Sequence, residues 1–352
     1  MVNPAATSRL VGMPPRPVPE GSIPLLTLAG SAADCGRQYA ETVLERYPGY
    51  HRYLNAEYYS QILTPNFIRL AEDWAPYLLE LLTGVFQISQ RFKASVPPLP
   101  TAPAGCSAFG LAGPVTLDGQ PISGQTKDTA VANALQYIVL RIQLQNAPTI
   151  LVLGYPGEIL GHGFWSTGTS IFRNSLYSRA DSQRGLTMEQ WGLLTLAGTS
   201  VHAAAELAQT HGLQGAGNCL ITDRDGESLS VEFNAGGVNI IPSDQGISTH
   251  TNHPLGPGTA AFEDWGHDPS GAGDSRRRRQ RLHELLGAER GRLTAPRALL
   301  CLADHQDFPH GICRHPPDLL QTTAAVVVEP TRGRLHVVRS NPCSNWPVTY
   351  CI

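Results

Sequence analysis

The stretch Gly105-Cys106-Ser107-Ala108-Phe109, continued by Asp118-Gly119-Gln120-Pro121-Ile122-Ser123-Gly124-Gln125-Thr126-Lys127-Asp128, marks the place where the chain changes character. Upstream, from about Ala32 to Gln90, apolar residues recur at helical spacing, as in Tyr39, Val43 and Leu44 and then Ile68, Leu70, Leu78 and Leu81. Pro48, Pro65 and Pro76 divide that stretch into several helices, because proline opens or ends a helix and is costly inside one. Residues 1–27 carry Pro14, Pro15, Pro17, Pro19 and Pro24 and read as an irregular arm. Val96–Ala104, with prolines at 97, 98, 100 and 103, suits neither helix nor central strand, so a boundary falls there.

Downstream the pattern is one of hairpins. Asp118-Gly119 sits between Val115–Leu117 and Pro121–Ser123, and Asp225-Gly226 between Cys219–Thr222 and Leu229–Phe233. Tyr137–Leu144 alternates apolar and polar residues before the run Thr149–Leu153, and Ala324–Val328 and Leu335–Val338 flank a turn containing Gly333. Between these strands a helical stretch starts at Thr187, where Thr187-x-x-Gln190 has capping-box spacing, and runs to just before Gly212. A second helix is expected over Ser275–Leu286. Strands joined as hairpins, with helices in groups, indicate α+β with layered sheets and not alternating βαβ units.

With 352 residues, 41% hydrophobic and 16% charged, the chain can bury a sizeable core and is not of disordered composition. The formal charge of −3 provides no general field for nucleic acid or an anionic membrane surface, so neither partner is expected. No apolar run is long enough for a membrane helix, and the proline-rich start lacks the pattern of a secretory signal, so a cytoplasmic location is expected. The seven cysteines are odd in number and scattered without a C-x-x-C pair, which opposes a disulfide framework and a cysteine-rich zinc site. Lysine chemistry has two candidates, Lys93 and Lys127.

Cys106 stands directly after Gly105, at the end of the proline-rich linker, and by itself reads more readily as a small buried hydrophobe at a strand start than as a nucleophile. Four segments give it context: Gly105–Phe109, Asp118–Asp128, His250-Thr251-Asn252-His253, and Asp304-His305 through Gly311-Ile312-Cys313-Arg314-His315. Together they resemble the acyl-coenzyme A:6-aminopenicillanic acid acyltransferase family, whose members are N-terminal-nucleophile (Ntn) hydrolases. The resemblance extends through Asp34-Cys35-Gly36-Arg37-Gln38-Tyr39, Asn174-Ser175-Leu176, Gly217-Asn218, Val231-Glu232 and Ser340-Asn341-Pro342-Cys343, covering most of the chain from about residue 28.

The resemblance implies an αββα four-layer sandwich with an N-terminal helical block, made as a precursor that cuts its own Gly105–Cys106 bond. Residues 1–105 would form the helical segment and 106–352 the catalytic core, the two remaining together as a heterodimer. The released α-amine of Cys106, with a pKa of about 7.7–8.0, would serve as base for its own thiol. Asn252 would donate to the oxyanion, Asp128 would orient the amine or polarise the scissile region, and Arg314 would bind a substrate carboxylate or support Asp128. Ser107, Phe109 and Lys127 are the expected substrate-binding residues. The family's Gly-Gln-Asn-Trp-Asp motif is Gly124-Gln125-Thr126-Lys127-Asp128 here, which argues against penicillin as the product.

The implied activity is hydrolysis or transfer of the acyl group of a small amide through a Cys106 thioester. No cofactor is required, and a coenzyme A thioester is a candidate acyl donor. The alternatives are a metal-dependent hydrolase using His250/His253 and His305/His310/His315, and a binding protein that never processes. Arg276–Arg279 with Arg281 reads as an anion site or, more simply, as a solvated helix face. Asp223-x-Asp225-Gly226 has the look of a calcium loop, which the hairpin reading already explains.

Overall fold

In a computed structural model that describes residues 22–47, 54–91, 105–264 and 274–352, Pro65 and Pro76 open helices as expected, and Pro48 lies outside the described residues. Leu25–Gly30 (β1) precedes Ala32–Arg46 (α1), Ala56–Ile62 (α2), Pro65–Trp74 (α3) and Pro76–Ser89 (α4). Pro65 and Pro76 occupy first-turn positions, where the missing N–H has no partner to lose. Ser31, Asn55 and Thr64 cap their helices by accepting the N–H groups of Asp34, Tyr58 and Phe67. α1 and α4 approach so closely that a Cβ on Gly36 would strike the Leu81 carbonyl, and one on Gly84 the Ala33 carbonyl.

The remainder alternates hairpins with helix groups. Gly105–Leu111 (β2), Ile122–Thr129 (β3), Ile138–Leu144 (β4), Ile150–Gly154 (β5), His162–Trp165 (β6) and Ser170–Ser175 (β7) lead to Met188–Ala197 (α5) and Val201–His211 (α6). Gly217–Thr222 (β8), Ser228–Asn234 (β9), Gly237–Pro242 (β10) and Ile247–His250 (β11) come next. Then follow Pro257–Ala260 (α7), Asp274–Ala288 (α8), Ala295–Leu302 (α9), Gln321–Glu329 (β12), Arg334–Arg339 (β13) and Val348–Cys351 (β14).

Two sheets result, an eight-stranded one in the order β1-β4-β5-β6-β7-β8-β9-β10 and a six-stranded one in the order β11-β2-β3-β12-β13-β14. Period-2 alternation sorts their side chains into layers. Ala108, Val326, Val337, Val139, Leu151 and Phe172 meet in a core between the sheets. Their neighbours point the other way: Leu140, Val152 and Ile171 pack against Tyr39, Leu81 and Trp191 of the first helix layer. Phe109, Ala325 and Val327 pack against Leu282, Leu286 and Leu299 of the second. This is the αββα four-layer sandwich expected from the sequence.

Three local expectations change. The arm expected over residues 1–27 gives way to strand at Leu25, since β1 pairs in parallel with β4 from Leu25↔Val139 to Gly30↔Leu144; residues 1–21 and the linker Val96–Ala104 lie outside the described residues. The helical stretch from Thr187 breaks at Gly198, and Ser200 caps the second piece, while the Thr187/Gln190 capping box forms as expected. Val115–Leu117 is no strand: Gly113–Val115 makes a 3-10 turn, and the Thr116 hydroxyl donates to the carbonyls of Gly113 and Gln120. The Asp225-Gly226 hairpin forms between β8 and β9, with Asp223 accepting the N–H groups of Asp225 and Glu227. No helix among the described residues is long and apolar enough to cross a membrane.

Candidate active site

The register of β2 against β3 sets Gly105 opposite Asp128, Cys106 opposite Lys127 and Ser107 opposite Thr126. Opposed residues of an antiparallel pair share a face, so Cys106 and Lys127 look toward the space between the sheets. Gly105, Ser107, Thr126 and Asp128 share the other face, toward α8. The Cys106 residue is 4% exposed.

Every polar group of the Cys106 peptide on the α8 side is held. Its N–H donates to Asn252 Oδ1 at 3.1 Å, and its carbonyl accepts from Arg278 Nη1 at 2.9 Å. Arg278 also donates to Ser107 Oγ and to Asn252 Oδ1, both at 2.9 Å, and faces Asp274 at 3.6 Å. Asp274 pairs with Arg314, whose Nη1 meets Asp318 Oδ2 at 3.0 Å and whose Nε stands 3.8 Å from Asp128 Oδ2. Asp128 closes the ring by lying opposite Gly105, with Oδ1 accepting from Thr322 Oγ1 at 2.8 Å. Arg278, Arg314, Asp274 and Asp128 are all buried. Buried charges of this kind persist only when paired, because each alone would carry a desolvation penalty of several kcal/mol.

Gly105 is extended backbone, so its lack of a side chain serves space and not conformation: a Cβ there would lie 3.1 Å from Asp128 Oδ2. That Oδ2 is buried without a hydrogen-bond partner. Burial pushes the Asp128 carboxyl up, against the pull of Arg314 and Arg278. Burial likewise raises the Cys106 thiol, while Lys127 and Arg278 lower it and Asp128 adds to the rise. On the inter-sheet face Lys127 Nζ lies 2.8 Å from His162 Nε2. Burial depresses Lys127, and burial with the Lys127 charge holds His162 well below the usual imidazole range.

The structure therefore gathers Cys106, Asp128, Asn252, Arg314 and Ser107 around one peptide bond, with Lys127 directly opposite Cys106 on β3. Phe109 is not among them: two residues beyond Ser107 on the same face, it is fully buried in the helix-side core with Leu282 and Leu286. The amide nitrogen of Asn252, the expected oxyanion donor, here donates to the Ser175 carbonyl at 3.0 Å. Arg278 and Asp274 were hidden in the sequence. Arg278 reads as one of a solvated run, yet it stands four and eight residues before Leu282 and Leu286, on the buried stripe of α8. Its neighbours turn elsewhere, Arg276 to Glu263, Arg279 to the Thr249 carbonyl and, beyond them, Arg281 to Asp304, so the run forms no single anion stripe.

The two histidine groups of the alternative reading do not form one site. His250 is buried with Nε2 at 2.7 Å from Glu232 Oε1 and Nδ1 at 2.8 Å from the Thr251 carbonyl, so both ring nitrogens are engaged. Burial raises the Glu232 carboxyl, but hydrogen bonds from His250, Thr259 and Gly256 outweigh it and hold the group at about 2. His253 bonds Ser275 Oγ at 2.9 Å, and burial, with the nearby His250 and Arg276, pushes it down to about 3. His310 pairs with Asp318, whereas His305 and His315 meet with their rings tilted, beside Cys313 and Cys343.

No protein-family model matches the chain, and no curated protein does. Among solved structures it is similar to a cysteine-to-alanine mutant of conjugated bile acid hydrolase from Clostridium perfringens, at 14% identity and a TM-score of 0.47. That match covers 70% of this chain and 97% of the other. An arginine-to-leucine variant of the same hydrolase matches over the same shares at 14% identity, with a TM-score of 0.46. Penicillin V acylase from Agrobacterium tumefaciens matches at 11% identity and a TM-score of 0.42, over 66% of this chain and 83% of that one.

Proposed function

We propose that the chain is a self-processing N-terminal-cysteine amidohydrolase or acyltransferase acting on a small amide through a Cys106 thioester. The observation that carries this reading is the closed ring of buried partners around the Gly105–Cys106 peptide, running from the Cys106 carbonyl through Arg278, Asp274, Arg314 and Asp128 to Gly105. A structural cysteine needs no such surroundings.

In the precursor the Cys106 thiol attacks the Gly105 carbonyl, the acyl group passes from nitrogen to sulfur, and water releases the thioester. A carboxylate is left on Gly105 and an amine on Cys106. Asp128 Oδ2, buried beside Gly105 without a hydrogen-bond partner, then has a cation to receive in the new ammonium group. In turnover the free amine takes the thiol proton, and the thiolate attacks the substrate carbonyl. The amine returns the proton to the leaving nitrogen as the thioester forms. Water or an acceptor amine completes the cycle, so hydrolysis and transfer are two endings of one mechanism. Lys127, on the thiol's face of the sheet, supports recognition of an N-acyl compound bearing a carboxylate.

The two products of cleavage stay associated in this reading, since β1 is a strand of the eight-stranded sheet and Tyr39 and Tyr59 bond the Gly157–Glu158 turn. Seven unpaired cysteines suit a reducing, cytoplasmic setting. The test is incubation of the processed protein with N-acyl amino acids, simple amides and acyl thioesters, with acid quench and mass analysis. An acyl adduct on the 106–352 fragment, absent in Cys106→Ala, supports the reading. Turnover that survives Cys106→Ala contradicts it.

A further inference from the structure

Two histidines and two cysteines that the Cys106 chemistry does not use converge at one point. The ligand atoms of His305, Cys313, His315 and Cys343 all lie within 4.8 Å of one another. The two sulfurs are 3.8 Å apart, each sulfur is 3.4 Å from His315 Nε2, and the two Nε2 atoms are 3.0 Å apart. We propose that these four side chains hold one structural zinc ion, independently of the function proposed for Cys106.

Four of the six ligand–ligand distances are close to the edges of a tetrahedron with a metal at its centre. With Zn–S of about 2.3 Å and Zn–N of about 2.0–2.1 Å, the edges come to about 3.8 Å between sulfurs, about 3.5 Å between sulfur and nitrogen and about 3.3 Å between nitrogens. The four edges given above fall within about 0.3 Å of these, and the two from His305 to the sulfurs are no longer than 4.8 Å. A disulfide would require the sulfurs at about 2.05 Å, far closer than they stand. Without an ion the four groups can form only a hydrogen-bonded cluster, with one proton shared between the two imidazole nitrogens across 3.0 Å. Two thiolates with two neutral imidazoles are a donor set that selects zinc, and four protein ligands leave no position open for a reacting water.

The surroundings fit a bound ion. Asn341 Nδ2 donates to Cys313 Sγ at 3.4 Å and to the Arg314 carbonyl at 2.7 Å, a contact that favours a thiolate and fixes its direction. His310, the remaining histidine of that loop, is held by Asp318 at 3.0 Å and takes no part. The ion would tie the loop from His305 to His315 to the turn after β13 that carries Cys343. Arg314 lies between two of the ligands, so the same ion would fasten the residue that pairs with Asp274 and faces Asp128. Three ligands come from one loop and Cys343 from another, 30 residues beyond Cys313, which is why the spacing of cysteines along the chain gives no sign of the site.

The test uses the full chain, without a polyhistidine tag, grown with zinc, desalted and analysed by inductively coupled plasma mass spectrometry. Wild type should carry about one zinc per chain. Cys106→Ala should keep it, and Cys313→Ser/Cys343→Ser should lose it at least tenfold. Should the double variant fail to fold, metal-free wild type titrated with cobalt(II) should show the intense red-region absorption and thiolate charge-transfer band of a tetrahedral site, and His305→Gln should weaken cobalt binding at least tenfold. Wild type that holds no zinc and gives no such cobalt spectrum, or whose mass shows a Cys313–Cys343 disulfide, overturns the proposal.

Discussion

Asn252 Oδ1 accepts the backbone N–H of Cys106 at 3.1 Å, so the nitrogen that self-cleavage would free is oriented before any bond breaks. The same oxygen also accepts from Arg278 Nη2 at 2.9 Å, which fixes the amide from a second side. The α8 helix and the strand carrying the nucleophile are thereby coupled through one side chain. This coupling leads to the first expectation.

Arg278→Ala should slow the appearance of processed fragments by about 100-fold, because the carbonyl of Cys106 and Asn252 both lose a charged donor. It also leaves Asp274 with one fewer buried partner, a change of the kind that destabilises by about 3–5 kcal/mol. Arg278→Lys should restore part of the rate if position is what matters. Gel electrophoresis of a timed expression chase reads the rate, and wild-type processing in Arg278→Ala would remove Arg278 from the account.

Asp128→Asn keeps the bond to Thr322 and the volume while removing the charge. Turnover should fall by about 100-fold or more, since the ammonium of Cys106 loses its counter-ion. In the processed enzyme the α-amine, with a pKa of about 7.7–8.0, sets the acid limb of turnover, and losing the Asp128 carboxylate beside it should move that limb to lower pH. A pH–rate profile of each protein decides, and an unchanged acid limb in Asp128→Asn would assign it to another group.

Tyr39→Phe tests how the helical block is attached. Its hydroxyl donates to the Glu158 carbonyl at 2.7 Å and accepts from the Gly157 N–H at 2.8 Å in a buried setting. Removing it leaves both backbone groups without that partner, which should lower stability by about 1–3 kcal/mol in a urea titration. A midpoint within error of wild type would show the contact to be dispensable.

His253 gives the acid limit of stability a sign. Its folded pKa is about 3 against 6.5 for the free group, so the folded chain binds fewer protons than the unfolded one. Its contribution is complete above about 6.5 and is lost as pH falls toward about 3. Glu232, held at about 2 against 4.5, adds a loss over lower pH. Thermal midpoints of His253→Gln should fall less steeply than wild type between those limits; parallel curves would contradict the assignment.

The layering of the fold was legible because the apolar run Ala324–Val328, the alternation in Tyr137–Leu144 and the 3.6-residue spacing of the N-terminal block are signals of burial, and burial survives in any topology. Breaks were harder. Gly198 and the 3-10 turn at Gly113 depend on a cap and a hydroxyl that local pattern does not register. The site was legible where residues lie next to each other in sequence, as in Gly105-Cys106-Ser107 and Lys127-Asp128. Arg278 was concealed by three neighbouring arginines of identical charge, and Phe109, expected to touch substrate, lies in the helix-side core because period 2 turns it away from the thiol. His305 and Cys343 meet only through tertiary folding.

The central claim, that Cys106 becomes an N-terminal residue by the protein's own chemistry, is tested most directly by intact mass spectrometry of purified wild type beside Cys106→Ala. The account predicts fragments 1–105 and 106–352 from wild type and one whole chain from the variant. A wild type that stays a single chain of 352 residues under conditions where it is folded would contradict it.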